Sequence, residues 1–382
     1  MIRYVMAALI VVATVIAASP VETSVGHAQS TSCATMLSPD QSIQAAIDDA
    51  RRGDVICLEA GTWTENVEIT RSLTLRGVGD ERSTIRGREE ANVKGIVEIS
   101  GSKRELRVIR LQHLELLGSK ELGSLRGIHA FGSSLTQSAR LIVEDVHIKR
   151  TNAGLWVVGP DVSARVERTI IENIGVGIVA RRQARLEVAD TDIRKTGVGG
   201  IWLNNGVQAD VRRTTVRDSG LGASRQGVGI KVGDRSHLRL VDSAVLSNGV
   251  AQPDANARAL RNAGVAVGVP SGPELSPVTS ASAEIVNSRI DGNRHGVVVG
   301  KTADLHMESS QARQNMGWGL VAFAQPCLNN PLTRADGLDG RLEFTGRNAI
   351  GANNASGNLD GQGNPGQHPF HHLPDGQVCL PR

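Results

Sequence analysis

The chain has 382 residues, with 42 basic and 39 acidic side chains interleaved along it and a formal net charge of +3. That balance builds no stripe for nucleic acid, and one Tyr with four Phe and four Trp leaves few platforms on which single-stranded bases could stack. The length exceeds that of a usual compact domain, which a solenoid accommodates by growing along one axis.

At the amino end, Arg3 precedes an apolar run from Val5 to Ala18 and a polar stretch ending Val25-Gly26-His27-Ala28. This is the layout of a secretory signal over 1–28, with cleavage expected after Ala28. The run is short for a bilayer span; an uncleaved anchor is the alternative. No later segment is a membrane candidate, so residues 29–382 are read as one exported domain, secreted or periplasmic and expected to be monomeric. Within it, 29–60 form a cap, 127–325 the clearest repeats, and 326–382 a second cap and tail. Four cysteines in an exported chain point to two disulfides. Three connectivities exist, and the layout favours Cys33 with Cys57 and Cys327 with Cys379, one pair at each end of the column; free thiols are the alternative.

Ser42 to Ala50 has apolar residues at helical spacing and stops before Gly53, which predicts a short amphipathic helix over the first coil. Val55-Ile56-Cys57-Leu58, the turn Gly61-Thr62-Trp63-Thr64-Glu65-Asn66, Val67-Glu68-Ile69 and Leu73-Thr74-Leu75-Arg76-Gly77 follow. From about Ile43 to Arg86 this block resembles the amino-terminal segment of pectin-lyase-like right-handed β-helix proteins, including pectin methylesterases and NosD-type accessory proteins. Their Gly-x-aromatic-x-Glu-Asn turn is matched by Gly61, Trp63, Glu65 and Asn66. The resemblance implies the fold strongly and an activity weakly, because the turn occurs in enzymes and non-enzymes alike. Glu65 is expected to be a hydrogen-bonded corner rather than a catalytic group. Between Lys103 and Gly123, Leu106, Val108, Leu111, Leu114 and Leu116 keep a strand-like alternation.

From Gly127 a repeat takes over. Segments opening at Gly127, Gly154, Gly177, Gly200, Gly229, Gly264, Gly296 and Gly319 share one pattern, and the intervals 154 to 177, 177 to 200 and 296 to 319 are each 23 residues. A second set, Val143-Val146-Ile148, Val166-Thr169-Ile171, Val188-Thr191-Ile193, Val211-Thr214-Val216, Leu240-Ser243-Val245 and Ile285-Ser288-Ile290, alternates on both sides of a two-residue break. Such a break marks two short strands meeting at a corner with their marked residues on one face. Val, Ile and Thr favour strands over helices, and the asparagine consensus and helical return of leucine-rich repeats are missing. The prediction is all-β: a right-handed parallel β-helix, a three-sided solenoid of three strands per coil, with coils roughly 4.8 Å apart and a short capping helix.

Stacking turns equivalent positions into columns. The corner column reads Asp145, Arg168, Asp190, Arg213, Asp242, Asn287, alternating in sign over five coils, which predicts a register-fixing charge ladder. Asn248, Asn293 and Asn315 occupy the next corner, where asparagine is expected to take left-handed turns and stack its amide on the neighbouring coil. The residue two after each glycine should face outward: His129, Trp156, Val179, Trp202, Lys231, Ala266, Val298, Val321. Trp156 and Trp202 would then stand roughly 9.6 Å apart on one flat face. With His129 and Lys231 beside them they make a candidate carbohydrate-binding surface. The alternative is that a long loop covers both tryptophans and extends the core. Two insertions, Val250 to Asn262 and Pro270 to Ser282, are expected to project as loops.

Chemistry is sparse. The Arg-Xaa-Pro-Xaa-Xaa-Arg motif of pectate lyases, the segments of pectin methylesterases beyond the shared turn, and the four motifs of polygalacturonases are absent, Arg294-His295-Gly296 being a faint trace of one. His368, His371 and His372 lack a convincing metal-ligand spacing, so no metal or cofactor is expected. Glu167, Glu187 and Asp210 lie on successive coils and are the first carboxylates to consider for glycosidic chemistry. Two functions remain: an exported scaffold that binds a polysaccharide or cell-envelope glycan on the face of Trp156 and Trp202, or a polysaccharide lyase, hydrolase or epimerase with an atypical carboxylate site. A NosD-like accessory role would need metal or partner residues that the chain does not display.

Overall fold

The computed structural model describes residues 32–101, 105–119, 124–132, 138–220, 227–250, 262–269, 280–300, 302–316, 319–322 and 341–350. The expected signal segment, Cys327, Cys379, the three tail histidines and most of both insertions lie outside them.

The described strands form a twelve-stranded and a nineteen-stranded sheet, paired in parallel from one coil to the next. The first sheet runs from Thr35–Leu37 through strands such as Val162–Glu167, Arg185–Ala189 and Gln208–Arg212 to Leu342–Thr345. Each chain turn adds one strand here, then a short strand after a corner, then a Gly-led strand. In Ile170–Arg181 and Asp192–Asn204 the last two run on as single strands, so the expected three strands per coil become two there. The column is a parallel β-helix whose core is its own interior. Val143, Val166, Val188, Val211, Leu240, Ile285 and Met307 stack in register and are all buried.

The corner column takes the left-handed conformation throughout: Asp145, Arg168, Asp190, Arg213, Asp242 and Asn287 have φ between 45° and 53°. The ladder forms in part. Arg213 forks onto Asp190, with Nε–Oδ1 2.7 Å and Nη2–Oδ2 2.8 Å, and Asn287 Nδ2 donates to Asp242. Asp145 is taken by Arg82 and His113, so Arg168 turns to Glu167 beside it. Just inside this corner Thr214, Ser243, Ser288 and Ser310 make a buried hydroxyl ladder, each accepting from the backbone N–H one coil before it or donating to a carbonyl two residues back.

Asn248, Asn293 and Asn315 stack as expected. Asn293 Oδ1 accepts from both Asn248 nitrogens at 2.9 Å, and Asn315 Oδ1 accepts from Asn293 N at 2.9 Å. The left-handed residue is the one before each asparagine: Ser247, Gly292 and Gln314 have φ of 55°, 67° and 54°. The asparagine itself points inward, where its amide satisfies backbone groups that a buried corner would otherwise leave bare.

The helix spans Ile43–Asp49, with Ser42 as its N-cap. Glu65 closes the same end, accepting from Ile43 N at 2.8 Å, Gln44 N at 3.3 Å and Ser42 Oγ at 3.2 Å. Trp63 is buried and donates from Nε1 to Gln41 O at 3.0 Å. The Gly-x-aromatic-x-Glu-Asn turn is therefore a structural clasp. Cys33 and Cys57 form a disulfide tying the first strand's lead-in to the second strand. Further on, Leu111, Leu114 and Leu116 point into the core with Ile109, whereas Leu106 is exposed; the left-handed His113 (φ 53°) makes the two-residue break that sets this phase. No helix among the described residues is long and apolar enough to cross a membrane.

Candidate functional site

At the leading glycines the coils stack too closely for a side chain. A Cβ on Gly177 would lie 2.3 Å from Gly200 O and 2.5 Å from Ile193 Cγ2. Two residues flank each glycine on the outer side, one before it and one two after it: Val228 and Ala263 join the outer cluster of Ala266, Val298 and Trp202. Register then gives two parallel outward columns. One is Arg126, Ala153, Val176, Gly199, Val228, Ala263 and His295; the other is Glu98, His129, Trp156, Val179, Trp202, Lys231, Ala266 and Val298. Trp156 and Trp202 thus share one face, two coils apart, in the order read from the sequence.

Their exposure differs from a bare platform. Both tryptophans are half-buried, while Val179 between them is 2% exposed and His129 and Lys231 are 6% and 7% exposed. Trp202 packs on an outer apolar cluster of Val228, Ala263, Ala266, Val269 and Val298. Its Nε1 is buried without a partner, above Gly199. Around Trp202 the face behaves as extended core. At Trp156 it is more polar: the Arg126 guanidinium lies 4.2 Å from the ring centroid, and His129 stacks on Phe131 at 4.9 Å. Lys231 Nζ sits 5.8 Å from the Trp202 ring. Both cation–ring pairs present charge and an aromatic surface together.

His129 is held uncharged. Burial, with the nearby positive charges of Arg126 and Lys94, pushes its pKa down to about 3. Glu98 Oε1 stands 4.0 Å from Nδ1, too far for a hydrogen bond, and is already occupied by the backbone N–H groups of Lys94 and Gly95. His295, at the far end of the first outward column, is pushed down to about 4 by burial and Arg294.

The model of a family described as "Right handed beta helix region" matches residues 124–272 and 160–330, together more than half of the chain. The chain belongs to the right-handed β-helix family. Among solved structures, this β-helix is similar to an alginate lyase from Paenibacillus sp. str. FPU-7, with 15% identity and a TM-score of 0.54 over 75% of this chain and 97% of that one. It is similar also to pectate lyase Pel9A, with 12% identity and a TM-score of 0.50 over 78% and 80% of the two chains. For the A-module of the Azotobacter vinelandii mannuronan C-5 epimerase AlgE4 the values are 15%, 0.50, 85% and 88%. At such identities the likeness is one of fold. No curated protein matches the chain.

On this β-helix two of the three candidate carboxylates come together and the third stands apart. Glu187 and Asp210 are register neighbours, but Glu167 stands in another column beside Glu144 and Ala189. Glu167 accepts from Arg165. Asp210 is forked by Arg212, whose hydrogen bond holds its pKa below the usual carboxylate range. A cluster that the sequence reading passed over lies on the short strands after the corner. His147 sits between Glu172 (2.9 Å) and Glu115 (3.5 Å), Lys149 meets Glu115 at 2.9 Å, and Arg194 meets Glu172 at 2.8 Å. The signal was available: the same stacking rule applied one position after each corner brings Glu115 and His147 into register. Among the described residues no group of three His, Cys, Asp or Glu could hold a metal ion.

Proposed function

We propose that this chain is an exported β-helix protein that binds polysaccharide on the outward strand face of Trp156 and Trp202, without turnover. The observation that carries the reading is the pairing of each half-buried tryptophan with a cation, Arg126 at 4.2 Å and Lys231 at 5.8 Å, two coils apart on one face. Ring faces pack on the apolar faces of sugars, and the Arg126 guanidinium can supply hydrogen bonds to their oxygens. His129 and Lys231 line the floor beneath rather than the rim. The names of the similar structures, which mention alginate, pectate and mannuronan, agree with a polysaccharide ligand. Export is supported by the signal-like segment 1–28 and by the Cys33–Cys57 disulfide, a bond that persists in oxidising compartments. A second crosslink, Cys327–Cys379, and a monomeric state belong to the same proposal.

Binding is preferred over catalysis on chemical grounds. A general base works best with a pKa near the working pH, and His129, at about 3, is neutral but weakly basic. Glu167 and Asp210 are committed to arginines. The test is a glycan array followed by reducing-sugar and unsaturated-product assays on the hits. Binding abolished by Trp156→Ala with Trp202→Ala, and no product, is the expected result. Turnover that a single change such as Asp210→Asn removes would overturn it in favour of a lyase, hydrolase or epimerase.

A further inference from the structure

The outer face of the short strands after the corner is charge-balanced over its first coils. Lys149 is answered by Glu115, His147 and Arg194 by Glu172, and Arg217 by Asp192 and Asp218. Farther along the column the balance changes. Arg289, Arg313 and Arg347 come from three successive coils, set by the register of Arg289 with Gln311 and of Gln311 with Ala349, and all three line one groove. Small residues such as Ala244, Ser309 and Ala349 also line it, where earlier coils carry Asp192 and Thr215 in the column of Ala244.

Among the described residues two carboxylates stand near these arginines, and both are engaged. Asp291 Oδ2 accepts from Arg289 Nε at 2.9 Å and Gln311 Nε2 at 3.2 Å, and its Oδ1 accepts from the Arg313 backbone N–H at 2.8 Å. Asp242, the one acid lining the groove, accepts from Asn287 Nδ2. Among the described residues no carboxylate pairs with the Arg313 side chain, and its Nε is buried without a hydrogen-bond partner. Arg347 is exposed and makes no hydrogen bond or ion pair among the described residues. Burying a guanidinium nitrogen with nothing to donate to is costly, and a planar oxyanion answers a guanidinium fork directly.

We propose that this groove binds a glycan bearing oxyanions, either uronate carboxylates or sulfate esters. Arg313 and Arg347 take the anionic groups, and Asp291 steadies Arg289 so that its outer nitrogens face the same groove. Three arginines over two coil rises, roughly 10 Å, suit successive anionic groups on one chain better than a lone ion. A nucleic acid is disfavoured because, among the described residues, no aromatic side chain lines the groove to stack a base. The groove lies on a different face from Trp156, and the inference does not rest on the binding role given to that residue.

The test is calorimetric titration of the full chain with an oligogalacturonate, a heparin-derived oligosaccharide and a neutral maltooligosaccharide. Arg313→Gln with Arg347→Gln, and separately Arg347→Glu at a position where no contact is lost, are compared with wild type at matched thermal stability. At least one charged oligosaccharide should bind and weaken at least tenfold in both variants, and the one that binds identifies carboxylate or sulfate as the group recognised. Absence of binding by both charged ligands, binding of the neutral one that weakens equally in the arginine variants, or charged-ligand affinities unchanged in those variants would overturn the proposal. Loss of charged-ligand binding in Trp156→Ala alone would sink the groove and leave the tryptophan face standing; loss in Arg347→Glu alone would place the charged ligand in the groove.

Discussion

Arg213 reaches back across one coil to Asp190, 23 residues earlier, and grips both carboxylate oxygens at 2.7 and 2.8 Å. That hydrogen-bonded guanidinium holds the Asp190 pKa below the usual aspartate range. With a depressed folded value, the pair's contribution is present above the unfolded aspartate pKa and is lost as pH falls through the folded one. The pair is solvent-exposed and salt-screened. Asp190→Arg sets three arginines in line with Arg168 and Arg213, and the melting temperature should fall at low salt and recover partly as salt is added. Unchanged melting at low salt would remove the ladder from the account of register.

Two histidines set a different pH response. His129 and His295 fold with pKa values of about 3 and about 4, against roughly 6.5 for a free imidazole. Both are neutral in either state at high pH, so they cost nothing there. Below about 6.5 the unfolded chain takes up protons that the folded chain refuses, at about 1.4 kcal/mol per pH unit per histidine. Urea midpoints should therefore fall between pH 6.5 and 4, and His129→Gln should flatten that fall by close to one proton's worth. Parallel pH profiles for wild type and variant would refute the assignment.

Asn293 is the middle rung of a buried amide ladder. Replacing it with alanine strands the Asn248 N–H and the Val245 carbonyl, which now bond to its side chain at 2.9 Å each. An unsatisfied buried polar group costs about 1–3 kcal/mol, so Asn293→Ala should lower the unfolding free energy by several kcal/mol in a denaturant titration. A loss below about 1 kcal/mol would mean that water replaces the amide.

Glu65 acts on the cap. Glu65→Ala removes acceptors for two helix N–H groups and the Ser42 hydroxyl and should cost about 1–2 kcal/mol while leaving glycan affinity as it was. Affinity that falls with Glu65→Ala at unchanged stability would give this turn a role in binding.

Gly177 tests the close stacking that creates the outer columns. In Gly177→Ala the added carbon meets a backbone oxygen that cannot rotate away. Destabilisation at or above the usual overpacking range of about 1–3 kcal/mol is expected by thermal melting.

The columns were legible before any coordinates because the rise from coil to coil is fixed. Once the glycines were aligned, Trp156 and Trp202 had to share a face, and Val166, Val188 and Val211 a buried line. Burial on the outer face was not legible in the same way. Val179, Lys231 and Val298 point away from the core yet are covered, Val298 within the outer cluster beside Trp202 and Lys231 against its ring, and no local period encodes which outer side chains fold down onto their neighbours. The asparagine corners were half read. Stacking followed from repetition, whereas the choice of the preceding residue for the left-handed turn follows from each amide's inward hydrogen bonds. The arginine groove escaped notice because Arg289, Arg313 and Arg347 occupy three different places in the repeat, so no single column contains them.

Each strand of this column bonds only to the strands of the neighbouring coils, so the column should come apart like a zipper, losing rungs from whichever terminus has a rung held on one side only. At the amino terminus the Cys33–Cys57 bond fastens the outermost rung to its neighbour. Reduction of that one bond should therefore convert a sealed terminus into a fraying one, and protease cutting near Thr35 to Leu58 would report it long before the middle of the column lets go.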